Sequence, residues 1–212
     1  MSRLEIDLRR TALVLLDLQN YNVHPDGYWA SVSPGLVERV GPSLARTVEA
    51  LAAARAAGIA VVHVQNAWRE GHPDINPHTP WQADAKAAGR STEGTWGVEF
   101  FAPVAPLDWE FVVRKRAVSA FVGTELERLL RVRDISTLVL AGGVTNFAVE
   151  GTARDASDRG YRVIVLEDCC ETISDEWQAF SMTQILPLIA SIVTAAEFAE
   201  ALGGEPKAGA GR

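Results

Sequence analysis

The sequence predicts an α/β fold: three layers, α/β/α, around a largely parallel six-stranded sheet. Three observations predict it. Six short runs rich in Val, Ile and Leu recur along the chain. They are too short for buried helices and show little polar alternation, as suits strands covered on both faces. Between them lie Ala-, Leu- and Arg-rich stretches with apolar residues at helical spacing. The links are short, so strand and helix alternate as right-handed βαβ units, whose crossovers lay helices on both faces of a parallel sheet.

In chain order the first run is TALVLLD at 11–17, followed by a helical stretch at 40–57. That stretch sets Leu44, Val48, Leu51 and Ala52 on one face, with Gly58 where a C-terminal cap belongs. The second run is IAVVHV at 59–64 and the third EFVVR at 110–114. A helix at 123–132 aligns Leu126, Leu129 and Leu130 and leads to the fourth run, TLVLA at 137–141. A helix at 148–159, stopped by Gly160, precedes the fifth run, RVIVL at 162–166. A weaker sixth, ASIVT, occupies 190–194. Residues 66–99 break the rhythm: Pro73, Pro77, Pro80, several glycines, His72 and His78 occur there without a period. So long an insert is read as a functional loop or lid, or else as an ordered surface excursion. The tail GGEPKAGAGR at 203–212 is expected to be disordered, leaving 1–202 as a single domain.

Composition narrows the function. At 212 residues and 48% hydrophobic, the chain can bury a substantial core. Its 20 Lys and Arg against 27 Asp and Glu give a net charge of −7, which argues against nucleic acid or an anionic membrane as partner. No apolar run approaches the roughly 18–20 residues of a spanning helix, and residues 1–7 lack the apolar core of a signal peptide. The only cysteines, Cys169 and Cys170, are adjacent and cannot form a disulfide framework. A soluble, cytoplasmic protein is expected.

Ligands of open parallel sheets sit beyond the carboxyl ends of the strands, so polar residues ending the strands are the candidates. Asp17 ends the first run, Lys115 follows the third, and the turn Gly142-Gly143-Val144-Thr145-Asn146 follows the fourth. An acid and a lysine from separate strands can pair in a desolvated cleft and make the acid a proton acceptor. A glycine turn feeding a helix offers free N–H groups to a developing oxyanion. Either charge alone reads as a strand-end cap or a solvated side chain. The four histidines, His24, His63, His72 and His78, show no ligand spacing, so no metal is expected. No phosphate-binding or dinucleotide fingerprint occurs, so no cofactor is expected.

With these blocks in place, the chain resembles the isochorismatase-like family, also called cysteine hydrolases. The matching stretches are LVLLDLQNY at 13–21, VVRKRAVSAFVGTELERLLR at 112–131, LVLAGGVTN at 138–146 and VEGTARDASDRGYRVIVLEDCCET at 149–172. The resemblance implies a Rossmann-like sheet, hydrolysis of a small amide, carbamoyl or ureido C–N bond, and a dimer or tetramer with neighbouring chains bordering the pocket. The apolar segment 185–193 and the tryptophans could supply an oligomer surface or core. The resemblance also makes Asp17 the general base and Lys115 its electrostatic partner. Gln19 and Asn20, which follow Asp17, are candidates to bind a substrate amide or equally to tie the loop together. Val144, Thr145 and Phe147 are candidate substrate-binding residues, with Thr145 read as an N-cap or turn residue rather than a catalyst. Trp96 is a candidate pocket wall or packing residue, and Val144–Thr145 a candidate cis peptide.

One position departs from the pattern. The family motif runs glycine, two variable positions, Thr, Asn or Asp, an apolar residue, Cys, Val. This chain reads Gly142, Gly143, Val144, Thr145, Asn146, Phe147, Ala148, Val149. Ala148 therefore stands where the nucleophilic cysteine is expected, and a methyl group cannot attack a carbonyl. Cys169 and Cys170 read as buried structural thiols. Three readings of Ala148 stay open: a substituted cysteine, a natural Cys-free hydrolase using Asp17 as acid or base, and a lapsed ligand-binding paralogue. The Tyr-Ala-His stretch of isochorismatases proper is replaced by Val144-Thr145-Asn146, which disfavours vinyl-ether hydrolysis.

Overall fold

The computed structural model describes residues 4–203. The strands form at the six apolar runs: β1 (Thr11–Leu16), β2 (Ala60–Asn66), β3 (Phe111–Lys115), β4 (Thr137–Gly143), β5 (Arg162–Glu171) and β6 (Ser191–Val193). They make one sheet in the order β3-β2-β1-β4-β5-β6, and every neighbouring pair is parallel. The described helices are α1 (Asn20–Val23), α2 (Tyr28–Val32), α3 (Pro34–Ala57), α4 (Pro80–Ala87), α5 (Leu126–Val132), α6 (Glu150–Asp158), α7 (Asp175–Phe180) and α8 (Ala195–Leu202).

Strand alternation divides the core between the two faces. Ala12, Val14 and Leu16 join α5 and α6 residues such as Leu126, Leu130 and Ala153 in one cluster. Leu13 and Leu15 point the other way and pack with Leu51 and Ala54 of α3 and Phe198 of α8. Because β1 is covered on both sides, all six of its residues are buried. The segment 185–193 divides: Leu186 is core, whereas Leu188 is exposed.

The chain begins at β1, builds outward through β2 and β3, then returns to place β4 on the other side of β1. Connections therefore diverge between β1 and β4, and the crevice outside their carboxyl ends is where such a sheet binds ligands. Gly142 lets the two strands meet there. Its φ is +120°, and a Cβ would stand 2.2 Å from the Leu16 carbonyl oxygen.

The departures from expectation have local causes. Helix α3 starts at Pro34, before the expected position 40, and carries Pro42 inside it. Pro42 is the ninth of the helix's 24 residues and removes one interior N–H, a loss that the packed helix tolerates. Strand β5 continues to Glu171 through a register shift opposite Leu140 and Gly142, so the run extends beyond its apolar part. The helix expected from 148 is α6, preceded by a wider turn over Thr145–Val149 that the Val149 N–H closes on the Val144 carbonyl at 3.3 Å. The cis peptide is Gly143–Val144, one bond before the expected one, on the side where the preceding residue has no Cβ. The insert 66–99 contains α4 and a short turn at Trp96–Val98. It is pinned by bonds from Trp68 N–H to Ser91 O and from Glu93 N–H to Trp68 O, both 2.8 Å. Among the described residues no helix is long and apolar enough to cross a membrane. The expected tail lies, from residue 204, outside the described residues.

Candidate active site

A cavity of about 380 Å³ opens at the carboxyl edge of the sheet, lined by Asp17, Lys115 and Ala148 together. Asp17 is the first residue after β1. Its backbone is left-handed, with φ +57°, a conformation aspartate tolerates better than most residues. Three bonds hold it: its N–H to the Val64 carbonyl at 3.0 Å, and its own carbonyl accepting from Gln19 N–H at 2.9 Å and Asn22 Nδ2 at 2.6 Å.

Lys115 ends β3 and reaches past β2. Its Nζ lies 2.7 Å from Asp17 Oδ2 and donates to the Val118 carbonyl at 2.7 Å. The lysine is 2% exposed. Helix α6 presses on the loop that supplies this carbonyl: a Cβ on Gly151 would stand 2.9 Å from Val118 Cγ1. The other carboxylate oxygen, Asp17 Oδ1, is buried without a hydrogen-bond partner. Burial pushes the Asp17 carboxyl above its ordinary range, and the Lys115 ammonium pulls against that rise. The result is a desolvated carboxylate, fixed through one oxygen and bare at the other, which can accept a proton from a group in the cavity.

Ala148 is buried in the helical turn entering α6 and brings no nucleophile. Cys169 also lines the cavity, but burial, reinforced by the Asp168 charge, pushes its thiol up to about 12. Burial raises the Cys170 thiol as well. Both thiols stay protonated near neutral pH and neither is a ready nucleophile.

The remaining expected residues separate into two groups. Val144 and Phe147 line the cavity, with Phe147 packed edge-on against Trp81 at 5.6 Å. Gln19, Asn20, Thr145 and Trp96 do not. The Gln19 amide donates to the Asn66 and Val98 carbonyls, each at 3.0 Å, and accepts the Asn66 N–H at 2.8 Å. Asn20 Nδ2 donates to the Trp96 carbonyl at 3.1 Å. These amides tie the loop after β1 to the insert. Thr145 is wholly buried, and Trp96 is half-exposed against the His24 ring at 4.9 Å.

The cavity has polar contributors that strand-end reasoning missed. Asn66 ends β2 beside Lys115 in register, and both polar atoms of its buried side chain lack partners. The same rule that selected Asp17 and Lys115 could have found it. Trp68 Nε1 and Arg90 Nε, from the insert, are also buried without partners. The Arg90 guanidinium pairs with Asp84 and lies over the Tyr28 ring at 4.6 Å. Tyr21 completes this wall, its phenol pushed up to about 12 by burial and by Asp17. No signal in the sequence marks Trp68, Arg90 or Tyr21.

The histidines are scattered. His24 packs on Trp96, His63 Nε2 lies 2.9 Å from Glu110 Oε2, His72 Nε2 lies 2.7 Å from the Arg90 carbonyl oxygen, and His78 is exposed. Among the described residues no group of three His, Cys, Asp or Glu side chains comes together to hold a metal ion.

Comparison with known proteins agrees with this architecture. The isochorismatase domain pattern matches residues 11–197. The uncharacterized isochorismatase family protein YwoC of Bacillus subtilis (strain 168) is 35% identical over 202 residues, covering 94% of this chain and 98% of that protein. The ureidoacrylate amidohydrolase RutB of Methylobacterium radiotolerans is 33% identical over 219 residues, covering 97% of this chain and 84% of that protein. Among solved structures, a cysteine hydrolase from Pseudomonas syringae pv. phaseolicola 1448A superposes with a TM-score of 0.85 at 25% identity, covering 94% of this chain and 95% of that one.

Proposed function

Because the chain belongs to the isochorismatase family, we propose that its cavity is a hydrolase site for the C–N bond of a small amide, carbamoyl or ureido compound. The observation that carries this reading is the ion pair of Asp17 and Lys115, buried beside Ala148 with Asp17 Oδ1 unpartnered. An unsatisfied buried oxygen is costly and gains a partner when a proton-bearing group enters. The similarity to a ureidoacrylate amidohydrolase supports the C–N class.

In this reading Asp17 is the general base and Lys115 holds its charge and orientation. Position 148 is where a nucleophile meets the carbonyl carbon, and the first amides of the turn entering α6 receive the oxyanion. A thiol there would pass its proton to Asp17, attack the carbonyl and form a tetrahedral adduct. That adduct would expel the amine, which takes the proton back from Asp17. Water, deprotonated by the same carboxylate, would then attack the acyl thioester, breaking its C–S bond to release the acid while the thiolate takes the proton back from Asp17. Ala148 removes the covalent step and leaves the rest of the site in place. A second reading rests on the same unpartnered oxygen: Asp17 activates a water directly, and the chain then hydrolyses slowly with Ala148 in place.

Side-by-side assay of the Ala148 protein and its Ala148→Cys variant on amides, ureides and carbamates tests both. The covalent reading expects a gain on the order of a thousandfold or more in the variant. Comparable turnover by both proteins supports direct water attack. No turnover by either, with the introduced thiol reactive toward an alkylating agent, contradicts the hydrolase proposal.

A further inference from the structure

The cavity is chemically two-sided. Near the ion pair it is lined by Asp17, Asn66, Trp68 and Arg90, each carrying a buried polar atom without a hydrogen-bond partner. Away from it the cavity continues into a lobe walled by Leu18 and Val23 after β1, by Leu36, Val40 and Leu44 of α3, and by Cys169 of β5. Val40 and Leu44 are half-buried, packed on the core from one side while lining the cavity. The two hydroxyls on this wall are already engaged: Ser43 Oγ donates to the Val40 carbonyl at 2.9 Å and Thr47 Oγ1 to the Ser43 carbonyl at 2.8 Å. The Cys169 thiol is neutral, and the one charged residue of the lining near α3, Glu171, is paired with Arg39 at 3.2 Å.

Water in such a lobe lacks partners, and an apolar group that displaces it gains the full benefit of burial. A polar group placed there would forfeit its hydration without compensation. We propose that this lobe is a subsite for a hydrocarbon substituent, so that the substrate is an amide or ureide bearing an aliphatic or phenyl group beside its scissile carbonyl. This narrows the small amide, carbamoyl or ureido compound that the family resemblance implies. The proposal rests on the C–N hydrolase reading for the identity of the head group, since the polar end would hold the amide while the lobe takes the tail.

The test uses the linear primary amides from acetamide to octanamide and the chain as it stands, whose Ala148 allows binding without thiol chemistry. Trp68 and Trp81 line the cavity, so fluorescence titration, checked by calorimetry, reads occupancy. Affinity should climb about fourfold per methylene, the factor that about 0.8 kcal/mol per buried CH2 gives, and level off once the lobe is full. Adding a terminal hydroxyl, as in 6-hydroxyhexanamide, should cancel much of that gain. Leu44→Trp, which fills the lobe, should flatten the slope with chain length; Val40→Phe serves the same purpose if the first variant does not fold. A flat series in the unmodified chain overturns the proposal, as does a slope undiminished in a folded lobe-filling variant. Failure of the hydrolase reading looks different: the slope persists while Ala148→Cys hydrolyses none of the amides. Equal hydrolysis of short and long amides by Ala148→Cys, with flat binding, removes the lobe and leaves the hydrolase.

Discussion

Glu110 and Lys115 bracket β3, and each belongs to a buried charge cluster, yet the clusters are completed differently. Before the strand, the Glu110 carboxylate accepts from Arg55 Nε and Nη2, both at 2.8 Å, and from the Leu107 N–H at 2.9 Å. His63 Nε2 lies 2.9 Å away on the same carboxylate. Burial pushes this carboxyl up, but the Arg55 fork, the Leu107 amide and His63 together outweigh it and hold the value down at about 2. After the strand, Lys115 meets only one oxygen of Asp17, and there burial prevails over the ion pair. The comparison teaches how to read a buried charge. A fully bonded carboxylate fastens helix α3 to the sheet, whereas a half-bonded one facing a cavity is poised for a ligand.

The sharpest way to break the comparison is to neutralise one member of each cluster. In an Ala148→Cys background, Asp17→Asn should cut turnover by roughly 10²–10⁴-fold with the circular dichroism spectrum unchanged. Glu110→Gln should instead leave turnover near its starting value and cost about 3 kcal/mol in urea unfolding at neutral pH. The Glu110 carboxyl is depressed from its ordinary 4.5 to about 2, so its contribution is fully present above about pH 4.5 and lost as pH falls through 2. The stability curves of the parent and the Glu110→Gln variant should therefore converge over that window.

The Asp17–Lys115 side of this contrast is legible in the sequence, the Glu110 side is not, and the limits have physical causes. Asp17 and Lys115 were visible because a charge closing an apolar strand must lie at the edge of the sheet. Asn66 follows the same rule, but it sits where the aperiodic insert begins and so was grouped with the loop. The strands were found to within a few residues, apart from the extension of β5, because burial on both faces writes a continuous apolar run. Helix α3 starts at Pro34 instead of the expected position 40, with a proline at its first turn, where the missing N–H costs no intrahelical bond. Gln19 and Asn20 follow Asp17 and Trp96 lies in a stretch resembling a family pocket border, but the partners that decide between pocket and loop are distant in sequence, so no local pattern makes that choice. Arg90 and Trp68 reach the cavity through the path of the insert, which no periodicity encodes, and Tyr21 reaches it from α1.

A smaller effect sharpens the account of how Lys115 is aimed. The Cβ introduced by Gly151→Ala would press on Val118, whose carbonyl receives the lysine. The expected cost is about 1–2 kcal/mol of stability, with a several-fold fall in turnover of the Ala148→Cys enzyme. A loss of stability with turnover unaffected would separate Val118 from the site.

Asp17 is a desolvated, half-satisfied base, whereas Glu110 is a satisfied anchor. Carboxyl ¹³C titration of the unmodified chain reads both groups in one experiment. Asp17 should titrate above the ordinary aspartate value and move higher still in Lys115→Met, because that substitution removes the opposing charge. Glu110 should titrate near 2 in both proteins. An Asp17 that titrates below its ordinary value, depressed like Glu110, would contradict the claim.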